Sequence, residues 1–227
     1  MSFVYFALFV DLPIFRMNEV AIKTNYSVWR LGVVPVLILQ TACIGSTPPA
    51  QFYLLEPLAV ETPRAPTTAT GPWVLSMAPV RLPAYLDRSQ IVTATDKNTY
   101  QMDELHRWAE SLGDNMTRVL LQDLSVLLAQ DVVISTAPHA RQASWHLAVT
   151  VLNFHVTPQG MAELNAQWQV SRDGKAVLLQ RSALQVPVEG EGVQARVQAL
   201  NRCLDHWSQD VARALLTVVA TPAGESR

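Results

Sequence analysis

Two alternating runs meet at an Asp-Gly turn, and that meeting restricts this chain more than any other feature. MAELNAQWQV (161–170) places Leu164, Ala166, Trp168 and Val170 on one face, and AVLLQRSALQV (176–186) follows directly after Arg172-Asp173-Gly174-Lys175. Asp-Gly between alternating segments is the strongest short-range hairpin signal. A long antiparallel hairpin with one apolar face needs cover, and two periodic stretches are available to supply it. Over 103–130, Leu105, Trp108, Leu112, Met116, Val119, Leu120, Leu124 and Leu127 recur at steps of three and four, with Asp103 and Glu104 in what would be the first turn. Over 193–219, Val193, Val197, Leu200, Leu204, Trp207, Val211, Leu215 and Val218 do the same. Both patterns predict amphipathic helices.

Further strands are expected upstream. FYLLEP (52–57) is aromatic and apolar and ends at Pro57, and WVLSMAPVRLP (73–83) contains Pro79, which predicts an edge position or a bulge. IVTAT (91–95) and a piece around Tyr100 to Met102 form a hairpin across 96–98, and DVVIS (131–135) is a short strand. In ASWHLAVTVLNFHV (143–156) the apolar residues occupy odd positions from Trp145 to Val151 and even ones from Leu152 to Val156. A strand that changes phase carries a bulge or is buried on both faces. The Pro- and Thr-rich stretch 59–72 reads as a surface loop. The expected fold class is α+β with mixed α/β layers: one mostly antiparallel or mixed sheet covered by two long helices. It occupies one domain over 51–220, followed by a tail at 221–227.

The N-terminus has a different character. Lys23 and Arg30 flank the apolar run LGVVPVLIL (31–39), and Thr41 and Ala42 lead into Cys43. A positive flank, a short apolar run and small residues are the anatomy of a secretory signal, predicted here over 1–42. Residues 17–42 contain every element of it, so Met17 is a sufficient start. The earlier apolar segment (3–15) is broken by Asp11 and Pro13 and falls short of the roughly 20 residues that a spanning helix needs. A cysteine directly after the cut is the bacterial lipoprotein arrangement, in which the thiol takes a diacylglycerol and the new N-terminus a third chain. Gln40 stands where the lipobox usually has Leu, with Leu39 one residue further back. Residues 43–50 then form a lipidated tether. The other cysteine, Cys203, would be a single thiol without a partner.

Charge and motif content narrow the function classes. Net charge is −2, which gives no general attraction to nucleic acid or anionic lipid. The phosphate-loop, dinucleotide, nucleophile-elbow and HExxH patterns are missing from the sequence. His106, His139, His146, His155 and His206 are scattered, and His146 and His155 lie on opposite phases of one strand, so no metal ligand set is expected. The reading is of a non-enzymatic protein without cofactor. Trp108, Trp168 and Trp207 fall on inward phases and are assigned to the core, as is Cys203.

Residues 79–128 hold a specific combination. Val80, Pro83, Tyr85, Leu86, Asp87 and Arg88 are followed by Ile91 and Val92, then by Arg107, Trp108, Ala109, Glu110 and Leu112 ahead of a leucine-spaced helix. Together with a cysteine followed shortly by FYLLEP, this resembles the ABC-type transport auxiliary lipoproteins of the PqiC (YmbA) type. The resemblance implies a periplasm-facing outer-membrane lipoprotein that docks an MCE-domain protein within a system moving lipids or other hydrophobic molecules. Ile44 and Gly45, with no Asp after Cys43, agree with the outer membrane. A homo-oligomer matching a symmetric MCE assembly fits this picture. The turn of Tyr85, Leu86, Asp87 and Arg88 is the expected contact to a partner or second copy. The competing expectation is structural: Tyr85 and Leu86 plug the core while Arg88 pairs with Glu104 or Glu110. The alternative function is an anchored carrier that binds one lipid in its own cavity.

Overall fold

The Asp-Gly turn forms as expected, with Asp173 at φ 48° and Gly174 at φ 79°, the two positive dihedrals of a type I′ hairpin. It joins two long strands of a computed structural model that describes residues 48–59 and 73–221. The signal segment, the Met17 start, Cys43 with the first part of the tether, and most of the Pro-Thr loop lie outside these residues. The described residues all belong to one compact unit, Pro48–Arg227.

Among the described residues, eight strands make one mixed sheet. In chain order they are β1 (Gln51–Tyr53), β2 (Val74–Met77), β3 (Gln90–Asp96), β4 (Thr99–Trp108), β5 (Asp131–Ile134), β6 (Trp145–Val156), β7 (Met161–Arg172) and β8 (Lys175–Pro187). β6, β7 and β8 form an antiparallel meander. The other edge of β6 is shared. Its start pairs in parallel with β2, which carries β5, and its last residue pairs with β3, which carries β4 and β1. Between the branches, Arg81 bridges to Thr150. β2 is therefore an internal strand and not the edge that Pro79 predicts. It ends at Met77, the chain steps out around Pro79, and Arg81 rejoins the same neighbour through its N–H to Val149 O (3.1 Å). Leaving the ladder is how an internal strand accommodates a residue that cannot donate.

The phase change in β6 is a bulge. Val151 faces Ala166 and Asn153 faces Asn165, so Leu152 is the extra residue. Trp145, Leu147, Val149 and Val151 are buried before it, and Phe154 and Val156 after it, all toward the core.

Among the described residues there are two α-helices of unequal length: α1 (Leu112–Leu128, 17 residues) and α2 (Gly192–Ala220, 29 residues). The first is shorter than the stretch 103–130 predicts. Residues 103–108 continue β4, held between β3 and β1, with Trp108 N–H donating to Ser89 O and Ala109 N–H to Tyr53 O. The first-turn acid is Asp114, in place of Asp103 and Glu104. Asp-Glu-Leu-His-Arg-Trp has ordinary helix propensity, but pairing on both sides outweighs so weak a prior. α2 packs on β6, β7 and β8 and also meets α1. The stripe from Val197 to Leu215 is buried, and Trp108, Trp168, Trp207 and Cys203 join the same core.

Candidate functional site

The Tyr85–Arg88 segment is a tight turn stacked after Pro83. Pro83 O accepts from Leu86 N–H (2.9 Å) and Asp87 N–H (3.2 Å), and Leu86 O accepts from Arg88 N–H (2.9 Å). Leu86 plugs the core as one expectation holds, being 1% exposed, while Asp87 points to solvent. Tyr85 lies at the rim. Its ring packs against Tyr100 on β4 (5.2 Å between centroids) and edge-on against His155 on β6 (6.5 Å), and Tyr100 meets His155 at 5.3 Å and 89°. His155 alternates with Phe154 and Val156, so it leaves the core face and is covered instead by these two tyrosines. Such edge-to-face arrangements stabilise beyond area burial alone.

Burial, then Tyr100, then Glu163 push the Tyr85 phenol up to about 12, so it stays a donor, toward Leu152 O and Asn153 Oδ1 (both 3.4 Å). Burial lowers the His155 pKa against the opposing pull of Glu163. His155 Nδ1 and Arg88 Nε are buried without hydrogen-bond partners.

Arg88 does not form the expected ion pair. Glu104 is taken by Arg107 (2.9 Å) and approached by Gln90, and Glu110 by Arg118 (2.8 Å). The Arg88 guanidinium rests instead on Met102 Sδ (2.7 Å), so among the described residues no carboxylate neutralises it. Met102, which it touches, is half-exposed, as are Tyr100, which packs on Tyr85, and Leu152, whose carbonyl accepts from the Tyr85 hydroxyl. Sequence reading named the turn but missed these three and His155. Leu152 had a signal, as the residue where the phase of β6 slips. Tyr100 and Met102 had none, because β4 alone does not reveal which turn packs beside it.

A second arrangement holds the segment that follows the tether. Asn115 of α1 accepts from Leu55 N–H (2.7 Å) and donates to Leu55 O (3.0 Å). Asn201 of α2 does the same for Glu56 (2.7 and 3.1 Å). Asp123 of α1 accepts from Leu58 N–H (2.8 Å) and from Ser208 Oγ of α2 (2.8 Å). Residues 55–58 thus form a strap across both helices, pinned by side chains where a strand would use a neighbour. Asp205 stands beside Asn201, and burial together with the Asp123 charge raises its carboxyl to about 6.

The remaining reactive groups do not converge. Burial pushes the Cys203 thiol up to about 12, which leaves it an inert core group. His146 Nδ1 pairs with Ser76 Oγ (2.7 Å) at the opposite end of β6 from His155. Among the described residues no group of His, Cys, Asp and Glu gathers closely enough to hold a metal ion.

Residues 53–212 match the family model described as the ABC-type transport auxiliary lipoprotein component. The fold is also shared with two crystal structures. One, of an uncharacterized protein, is 21% identical with a TM-score of 0.63, covering 74% of this chain and 99% of that one. The other, a Xanthomonas campestris protein, is 15% identical with a TM-score of 0.64, covering 74% of this chain and 96% of that one. A search of curated proteins found no match. The matched segment runs from the strap through the Tyr85 turn, α1 and most of α2, so this chain belongs to the ABC-type transport auxiliary lipoprotein family.

Proposed function

We propose that this protein is a periplasm-facing lipoprotein of the outer membrane, anchored through Cys43, and that it docks an MCE-domain protein in a system moving lipids or other hydrophobic molecules. It performs no catalysis in this role and supports envelope integrity by giving the transport assembly a fixed point. The observation that carries the docking role is the patch at the Tyr85 turn. An arginine with no carboxylate partner among the described residues stands there on half-exposed Met102, beside the Tyr85 turn on which half-exposed Tyr100 packs. Arg, Tyr and Met are the residue types that interfaces enrich at their centres. Family membership supports the transport setting.

Purification of the lipidated protein from detergent-solubilised envelopes is the test. An MCE-domain protein recovered with it, in amounts comparable to the bait, is the expected result. Lipid recovered in place of any protein partner would favour an anchored carrier and overturn the docking role. The density of the core speaks for docking: Leu75, Met77, Leu120, Leu147, Leu164 and Trp207 fill the space between sheet and helices, each no more than 1% exposed.

A further inference from the structure

Phe52 and Leu54 stand two apart on one side of the extended segment that opens the fold, and they are 64% and 43% exposed. Their neighbours in sequence, Tyr53 and Leu55, turn inward to the core. With Val197 and the edge of Tyr53 they form the apolar part of an open groove of about 470 Å³ along the first half of α2, whose polar wall is Glu56, Gln194, Gln198, Asn201 and Arg202. The side chains of both helices fix the adjoining strap residues, so Phe52 and Leu54 are held outward on a rigid base.

What covers them follows from the chain that leads to them. Phe52 is nine residues after Cys43. Such a segment extends to about 30 Å at most. With Cys43 acylated, as the proposed function holds, Phe52 can move no farther than this from the bilayer surface. An aromatic and an aliphatic side chain facing outward at that distance match the lipid interface, where apolar side chains enter the headgroup and acyl boundary. We infer that the Phe52–Leu54 face is a membrane-contact surface, which seats the domain on the lipid surface in one orientation.

The test uses the full lipidated chain in vesicles of phosphatidylethanolamine and phosphatidylglycerol. An environment-sensitive fluorophore is placed by Phe52→Cys, or by Leu179→Cys on the exposed edge strand β8 as a control; native Cys203 is buried and stays unlabelled. Both sites are exposed, so both variants retain the fold. Emission from position 52 is expected to shift to the blue and rise about twofold on vesicles, as for a probe entering an apolar phase, while position 179 stays unchanged. Protein that floats with the vesicles while position 52 stays in water overturns the contact surface and leaves the anchor standing. Equal shifts at both positions overturn the fixed orientation. A blue shift at 52 only on adding an MCE-domain protein assigns the face to that partner and also overturns it. Protein that does not float at all, with no acyl adduct on Cys43 by mass spectrometry, overturns the anchor and this inference together.

Discussion

Asn115 shows how much one side chain can decide. Its amide satisfies both backbone groups of Leu55 in a fully buried position, whereas Asn201 performs the same pairing for exposed Glu56. An unpaired buried group costs about 1–3 kcal/mol, while an exposed one is rescued by water. Asn115→Ala is therefore expected to destabilise by about 3 kcal/mol and Asn201→Ala by under about 1, measured by denaturant unfolding. Equal losses would refute the buried strap. Asp205 gives a pH signature. Its folded carboxyl titrates near 6, above the usual 3.8, so the folded state binds the proton more tightly. Stability contributed by that proton is complete below about 3.8 and is lost as pH rises through about 6. Asp205→Asn keeps an acceptor for Asn201 and removes repulsion with Asp123. It should raise Tm by a few degrees at pH 7 and leave it unchanged at pH 3.5, with solvent screening keeping the gain near about 1 kcal/mol. A variant that melts with the wild type at both pH values would contradict the raised carboxyl.

At the scale of elements, the bulge in β6 makes a sharp forecast. Leu152 is surplus to the ladder with β7, so deleting it joins Val151 to Asn153 in regular alternation and leaves Phe154 in the core. Deleting Ala148, in the regular part of the strand, shifts the register and turns one set of core residues outward. The first deletion should fold with native circular dichroism, and the second should not. If both unfold, Leu152 is not a bulge residue. These strands were legible because alternation, phase slip and the Asp-Gly turn are local. The stripe of α2 was legible for the same reason. The start of α1 was not: Trp108 fits a helical stripe in sequence, and only pairing of β4 with both β1 and β3 draws it into a strand. Of the two outcomes that Pro79 predicts, an edge or a bulge, only the edge is wrong, because an internal strand can step around a proline when the next residues rejoin its neighbour.

For the whole molecule, the sequence located the Tyr85 turn but not its surroundings, since three segments separated by up to about seventy residues meet there. That convergence supports a docking surface. The membrane face at Phe52 and the Tyr85 patch would then engage two different partners of one rigid fold, lipid at the first and the transport assembly at the second. The central claim is that the patch binds an MCE-domain protein, and quantitative co-purification with Arg88→Ala tests it most directly. Arg88 makes no ion pair among the described residues, so the variant should melt within about 1 kcal/mol of wild type, the usual range for a side chain of this kind. Recovery of the MCE-domain protein should nonetheless fall by tenfold or more, the loss expected at an interface centre costing about 1.4 kcal/mol or more. Undiminished recovery with unchanged melting would contradict the account.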